Sequence, residues 1–148
     1  RIAENAVDSL EVAATALGVE VTVDGTDAPI RAIPQLIYSI VYNLCDNAIK
    51  YNHCGGNVNI RVHQTLYNAV LSVKDTGIGI PEESRERIFE RFYRVDKSRS
   101  KEVGGTGLGL SIVKHAVMIH NGKIEVKSEL GEGTEMIVTI PNKQDINL

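Results

Sequence analysis

Four short motifs along this chain combine amide, acidic and glycine residues in patterns that suit a charged organic ligand. They are residues 43–51 (NLCDNAIKY), 75–80 (DTGIGI), 104–109 (GGTGLG) and 131–134 (GEGT). The first supplies carboxamides and a lysine, the second a carboxylate before spaced glycines, and the third a glycine-rich segment that leads into a helical pattern. These groups can bind magnesium, a purine base and phosphates. The set predicts a domain that handles ATP.

The first motif lies in residues 34–51, where apolar residues recur with a helical period. Asn43, Asn47 and Lys50 are four and three residues apart, so they share one stripe of the predicted helix. The amide oxygen of Asn47 is a hard ligand suited to Mg²⁺, and Lys50 can neutralise phosphate charge. Asn43 cannot take a proton from water as a glutamate would, so we expect poor hydrolysis. An ordinary solvated helix face is the alternative interpretation.

The second motif begins where an apolar strand pattern ends at Asp75. A carboxylate there can accept a hydrogen bond from the amino group of adenine, whereas guanine presents an acceptor at the same position. Asp75 should therefore select ATP over GTP. Gly77 and Gly79 allow a close approach of backbone to ligand. A simple turn at the end of a strand remains the alternative.

The third motif runs directly into a predicted helix over residues 108–120. Backbone amides and the positive end of a helix dipole can receive phosphates there. The preceding residues 95–105 are polar and charged, and Arg94 stands just before them. We predict a mobile lid over the ligand, and a solvated linker is the alternative.

The composition excludes several other classes of function. A formal net charge of -3 and a pI of about 5.8 argue against broad binding of nucleic acid or of anionic membranes. No apolar run is long enough to span a membrane. The two cysteines lack Cys-x-x-Cys spacing, which favours a reducing cytoplasmic setting. The four histidines show no metal-site spacing. Neither a Rossmann nor a Walker glycine signature is present.

The order of predicted elements favours one α/β domain over residues 1–148. Helical patterns cover residues 2–17, 34–51 and 108–120, and strand patterns cover residues 19–23, 57–62, 69–73, 124–127 and 135–140. Short helical turns are expected over residues 81–91. The arrangement predicts a two-layer sandwich, in which helices cover one face of a mixed, largely antiparallel sheet.

In order and spacing, the four motifs resemble the N box and the three G boxes of the catalytic ATP-binding domain of bacterial sensor histidine kinases. Residues 90–96 (ERFYRVD) resemble the F box of these kinases. The resemblance covers nearly the whole chain, and within the family it is closest to the phosphate-sensing type. It implies the Bergerat fold of DNA gyrase and MutL-type ATPases, with ATP between helices under a mobile lid.

The resemblance also implies roles for individual residues. Asn47 corresponds to the Mg²⁺ ligand, Asn43 to a polar residue near the phosphates, Lys50 to a phosphate contact, and Arg94 to a lid arginine that reaches the γ-phosphate. The remaining implied nucleotide contacts are Tyr51 beside the nucleotide, Asp75, Gly77, Gly79 and Thr134 around adenine, and Gly105, Gly107, Leu108 and Gly109 at the phosphate-facing end of the lid.

One feature of these kinases is missing, because no histidine lies in a Ser-His-Glu-Leu-Arg-like phosphoacceptor context. Together with the start at Arg1, this predicts a fragment whose dimerisation and phosphoacceptor domain lies upstream. The expected partners are that domain and, through the parent kinase, a response regulator, with the parent anchored in the cell membrane. Two alternatives remain: a gyrase- or chaperone-like ATP hydrolase, and a non-catalytic nucleotide-responsive module.

Overall fold

The computed structural model describes residues 1–94 and 108–142, which form a five-stranded sheet and three α-helices. The predicted lid over residues 95–105 lies outside the described residues. The helices and strands, in chain order, are α1 (Ile2–Leu17), β1 (Glu20–Gly25), α2 (Pro34–Lys50), β2 (Asn57–Gln64), β3 (Asn68–Asp75), α3 (Gly109–Ile119), β4 (Lys123–Glu129) and β5 (Gly133–Pro141). Two short 3₁₀ turns, Glu82–Ser84 and Arg87–Phe89, follow β3.

The strands are ordered β1-β2-β3-β5-β4 across the sheet. β1 and β2 are parallel because the chain crosses through α2 between them, and every other neighbouring pair is antiparallel. β5 lies between β3 and β4, which puts the fourth motif beside the second. The predicted fold class, a largely antiparallel sheet with helices on one face, is confirmed.

The two faces of the sheet follow from the alternation of residues along each strand. Ile60 faces Val73 across β2 and β3, and both side chains are buried under the helices. The opposite face is polar: Asn59 Nδ2 and Arg61 Nε donate to the carboxylate of Asp24 at 3.0 and 2.9 Å. One face of the sheet therefore packs under the helices to form the core, and the other, polar face can remain exposed to water.

α2 is the central helix, in contact with both α1 and α3. It begins with Pro34 in its first turn, which suits a residue without an amide proton, and its inner side chains include the fully buried Ile40 and Ile49. α1 ends at Gly18, whose φ of 69° closes the helix in a left-handed cap. The predicted helix over residues 2–17 is thus confirmed.

A buried histidine ties two of the helices together. His120 caps α3, its Nδ1 lies 2.8 Å from the carbonyl oxygen of Ala116, and its Nε2 accepts from the backbone N–H of Ile33 at 3.0 Å. Since Nε2 is an acceptor, the proton lies on Nδ1 and the ring is neutral. The contact fixes the C-terminus of α3 against the N-terminus of α2.

Across residues 1–94 and 108–142, no helix has the length and apolar character needed to cross a lipid bilayer.

Candidate functional site

A row of polar side chains interrupts the apolar face of the sheet at one end. Asp75 is the last residue of β3 and faces the buried Val58 across the sheet. Thr134 and Ser128 are paired in the adjacent strands β5 and β4. The backbone N–H of Thr134 donates to Asp75 Oδ1 at 3.2 Å, which joins the second motif to the fourth. A polar group so close to the core needs a partner, which makes this end of the sheet a candidate site.

The carboxylate of Asp75 is held through one of its two oxygens. Oδ1 accepts from the backbone N–H of Gly77 at 2.8 Å as well as from that of Thr134. Burial raises the pKa of Asp75 above its ordinary value, and these two hydrogen bonds offset part of that rise. The described residues give Oδ2 no hydrogen-bond donor. Asp75 can therefore accept a hydrogen bond from an incoming ligand.

The glycines after Asp75 are required by close backbone contacts. A side chain at Gly77 would overlap the carbonyl oxygen of Tyr51, and one at Gly79 would overlap the carbonyl oxygen of Glu129. Gly79 also has a φ of 75°, in the left-handed region that glycine favours. The turn therefore packs closely between the end of α2 and the end of β4.

α2 connects this turn to the start of α3. At its C-terminal end, the carbonyl oxygen of Tyr51 accepts from the N–H of Ile78 at 3.1 Å. About 12 Å away along the helix axis, Asn43 Oδ1 lies 3.1 Å from the position that a Cβ on Gly109 would take. Asn47 and Lys50 lie on α2 between these two points. One helix thus lines a path from Asp75 to the N-terminus of α3.

The cation on this path is already paired. Lys50 Nζ lies 3.0 Å from Asp46 Oδ2, and the two side chains are only 31% and 21% exposed. Partial burial strengthens such a pair relative to one on the open surface. Any anion that binds Lys50 must therefore compete with Asp46 for it.

The N-terminus of α3 is built to accept negative charge. Gly109 is its first residue, no side chain caps it, and its first turn contains no acidic residue. No acidic residue of this first turn neutralises the positive end of the helix dipole. Leu108 and Gly109 lie at this N-terminus, whereas Gly105 and Gly107 lie outside the described residues.

Arg94 is half-buried at the end of the segment that follows the 3₁₀ turns. The residue before it, Tyr93, is anchored by a 2.8 Å hydrogen bond between its hydroxyl and that of the buried Ser84. The guanidinium of Arg87 packs over the Tyr93 ring, 4.5 Å from its centre. The base of the predicted lid is therefore fixed to the domain.

The structure joins Asp75, Gly77, Thr134 and Tyr51 through hydrogen bonds and close contacts, and it places Asn43 against Gly109. Sequence reasoning overlooked Asp46 and Ser128. The spacing of Asp46 and Lys50, four residues apart in a helix, is a signal for an ion pair. Ser128 had no such signal, because its partners come from three separate segments. The described residues hold no cluster of three or more His, Cys, Asp or Glu side chains that could bind a metal.

Comparison with known proteins places this geometry in a family. Residues 32–144 match the model of the histidine kinase-, DNA gyrase B- and HSP90-like ATPases. The chain belongs to this ATPase family, in the branch of the sensor histidine kinases.

The chain is 41% identical over 148 residues to the sensor-like histidine kinase SenX3 of Mycolicibacterium smegmatis, covering 97% of this chain and 38% of that protein. It superposes on the mycobacterial sensor histidine kinase MprB with a TM-score of 0.86 and 30% identity, over 97% of this chain and 95% of the other. A full-length ShkA structure in complex with AMPPNP matches with a TM-score of 0.82 and 27% identity, over 99% of this chain and 31% of ShkA.

These similarities confirm three predictions made from the sequence: the resemblance to sensor histidine kinases, the fold class, and the assignment as a histidine kinase catalytic domain. The chain has the fold of histidine kinase catalytic domains, and it spans 38% or less of the first curated relatives that it matches. Those relatives are larger sensor kinases.

Proposed function

We propose that this chain is a single catalytic domain that binds Mg-ATP and transfers its γ-phosphate to a histidine on a separate dimerisation domain. The observation that carries the proposal is Asp75, a carboxylate held by two backbone donors on one oxygen with the other left to accept. Adenine offers an amino donor there, and guanine would offer a repelled oxygen. The AMPPNP bound to the related ShkA supports an adenine nucleotide.

The remaining site residues divide into two groups along α2. Near Asp75, we assign Tyr51, Gly77, Gly79 and Thr134 to the base and its surroundings. Toward α3, Lys50 would neutralise phosphate charge in competition with Asp46, and the amides from Gly105, Gly107, Leu108 and Gly109 would face the phosphates. Arg94 would add a second cation at the γ-phosphate.

The amide oxygen of Asn47 is the group that would hold Mg²⁺, which prefers oxygen ligands and takes most of them from water and substrate phosphates. When bound, the metal would neutralise charge on the phosphate oxygens. A single protein oxygen fits this mode, and it is consistent with the lack of a carboxylate cluster in the described part of the chain.

Transfer would proceed by attack of the partner's histidine nitrogen on the γ-phosphorus, with cleavage of the bond to the bridging oxygen and release of ADP. Positioning and charge neutralisation, rather than covalent chemistry on this chain, would supply the rate. The nucleophile must come from elsewhere, because none of the histidines has a phosphoacceptor context.

Position 43 argues against the hydrolase alternative. Asn43 Nδ2 donates to the carbonyl oxygen of Ser39 at 2.8 Å, which directs Oδ1 toward Gly109. A carboxamide in this position can orient a group but cannot accept a proton from water. Rapid ATP hydrolysis by the chain alone would favour the hydrolase instead.

The test is to mix the domain with its upstream dimerisation and phosphoacceptor domain and with ATP labelled on the γ-phosphate. We expect acid-labile, base-stable label on the partner's histidine. Asn47→Asp should abolish most of the transfer, because it adds a negative charge beside the metal and phosphates. The matched control is Asn5→Asp on the exposed first turn of α1, which should transfer normally. Nucleotide binding without any phosphohistidine would leave only the regulatory module.

A further inference from the structure

Ser128 lies on β4 behind the proposed base site and contacts the second and fourth motifs through Ile80 and Thr134. Its hydroxyl lies 2.8 Å from that of Thr134, accepts from the backbone N–H of Ile80 at 2.8 Å, and lies 3.0 Å from the carbonyl oxygen of Gly133. Its own carbonyl oxygen accepts from Arg85 Nη2. One small side chain thus links β4, the start of β5 and the end of the glycine turn.

The hydroxyls of Ser128 and Thr134 can each donate only one hydrogen bond, since each carries one proton. When Ser128 donates to the Gly133 carbonyl, Thr134 must donate to Ser128, and only lone pairs of Thr134 remain for other groups. When Ser128 donates to Thr134, the proton of Thr134 is released for another acceptor. The partner that Ser128 selects therefore determines whether Thr134 offers a donor or an acceptor.

The position of Thr134 gives this choice a consequence. Its backbone N–H binds Asp75 Oδ1, so its side chain lies in the same polar row as the carboxylate. Adenine presents a donor at its amino group and an acceptor at the adjacent ring nitrogen. An Asp75 acceptor beside a Thr134 donor, acting directly or through a water, has the complementary pattern. This pattern requires Ser128 to donate to Thr134 rather than to the Gly133 carbonyl. Hypoxanthine reverses both groups and would meet two mismatches.

We propose that Ser128 is a positioning residue for base recognition, which directs the hydroxyl of Thr134 and anchors the glycine turn at Ile80. The inference rests on the proposed function, because it assumes that adenine binds at Asp75. Ser128 would act through Thr134 and Ile80, without touching the nucleotide. It accounts for a serine on the core-facing side of β4, where its neighbours on that side, Ile124 and Val126, are apolar.

The test compares the affinities for Mg-ATP and Mg-ITP, which differ only at the base edge that Asp75 and Thr134 would read. Ser128→Ala should weaken ATP binding about fivefold and lower the ATP/ITP preference by a similar factor. Ser128→Thr, which restores a hydroxyl, should keep both within about twofold of the original protein. The matched control is Ser72→Ala on β3, which removes a 2.7 Å bond to Glu135 on the opposite face and should change neither value.

A purely structural role would lower the melting temperature and weaken both nucleotides equally, and an unchanged ATP/ITP preference would overturn the proposal. Ser128→Cys, which keeps the side-chain volume with a weaker hydrogen-bonding group, provides a second variant if Ser128→Ala does not fold. Adding Thr134→Val to Ser128→Ala should cause little further loss of preference, whereas additive losses would contradict coupling. If the original protein binds ATP and Ser128→Ala changes neither the ATP affinity nor the ATP/ITP preference, only this inference is overturned. If the original protein binds no ATP, the proposed function is overturned as well.

Discussion

The two ends of the proposed site are held in different ways. At the base end, Asp75 Oδ1 accepts from two backbone amides, and the adjoining turn fits against Tyr51 and Glu129 so closely that only glycine is possible. At the phosphate end, Lys50 is held in an ion pair with Asp46. The base end is fixed before a ligand binds, whereas the ion pair at the phosphate end must open when an anion binds Lys50.

This difference suggests a division of tasks. Recognition of a base by hydrogen bonds requires fixed donors and acceptors, because discrimination comes from leaving a buried polar group unpaired with the wrong ligand. Binding of phosphates requires charge that can be redirected, and it depends on ionic strength. The base end should therefore control which nucleotide binds, and the phosphate end how tightly.

The largest effect is expected from disturbing the glycine turn. Gly79 and Gly131 have similar φ angles of 75° and 85°, but a Cβ would overlap the Glu129 carbonyl at Gly79 and would meet open space at Gly131. Asn tolerates the left-handed region better than most residues. Gly79→Asn should lower the free energy of unfolding by about 3 kcal/mol and remove nucleotide binding. Gly131→Asn should change stability by less than about 1 kcal/mol.

Urea unfolding of both variants measures this contrast. Equal destabilisation would mean that the backbone angle alone, and not the close approach to Glu129, makes glycine necessary at position 79.

The second prediction separates binding from stability at Asp75. Asp75→Asn should weaken ATP binding about 10- to 100-fold, because an amide donor would face the adenine amino group. Its stability at pH 7 should equal or exceed that of the original protein, since Asn can still accept the two backbone hydrogen bonds without burying a charge. Calorimetric titration and thermal melting measure the two effects. Loss of stability together with affinity would contradict the assignment.

The pH dependence of stability gives the matched control, Asp24→Asn. Because burial raises the pKa of Asp75, its ionised form costs stability, and this cost grows as pH rises from the ordinary carboxyl range through the raised pKa. Hydrogen bonds from Asn59 and Arg61 lower the pKa of Asp24, so its contribution is present above the ordinary value and is lost as pH falls through the lowered one. Raising pH from about 4 to 7 should therefore favour Asp75→Asn, and raising pH from about 2 to 4 should disfavour Asp24→Asn, each relative to the original protein. Melting curves that shift in the same direction for both would contradict the opposite pKa shifts.

A smaller effect is expected at the ion pair. Lys50→Met should weaken ATP binding about tenfold, and Asp46→Asn should strengthen it about threefold by releasing Lys50 to the phosphates. Both should change the free energy of unfolding by less than about 1 kcal/mol, as for other partly exposed helix pairs. Titration of ATP into each variant provides the measurement. Weaker binding in both would show that Asp46 supports Lys50 rather than competing with it.

The smallest effect concerns salt. Raising ionic strength should weaken ATP binding through the phosphate end, yet leave the ATP/ITP preference unchanged within about twofold. The base edge is neutral, and the partly buried Asp75 carboxylate reads it through a short-range hydrogen bond that salt screens little. Competition titrations at low and high salt measure both quantities. A preference that falls together with affinity would remove the proposed division between the two ends.

Much of this fold could be predicted from sequence. The helical period of residues 2–17 predicts α1, and the pattern that begins at Pro34 predicts α2, because these signals are local. The predicted strands 69–73 and 135–140 are one residue short at one end and two at the other, compared with β3 and β5. The reason is that polar Asn68, Asp75 and Thr134 carry no apolar alternation although they pair in the sheet. The parallel pairing of β1 with β2 had no local signal, because it depends on where α2 packs.

The site divides in the same way. Asp75 and the glycines after it can be identified as candidates from the sequence, because a carboxylate before spaced glycines is a pattern contained within a few residues. Ser128 was not, since its bonds reach Ile80 and Thr134 on other segments. The pairing of Lys50 with Asp46 could have been predicted from their spacing, but the choice between ligand and ion pair depends on burial that only the folded chain provides.

The central claim is that the fixed base end of this domain recognises adenine. The most direct measurement is a calorimetric titration of the domain with Mg-ATP and, in parallel, with Mg-ITP. We expect saturable binding of ATP and at least about tenfold weaker binding of ITP. No heat of binding with millimolar ATP, or equal affinities for the two nucleotides, would contradict the claim.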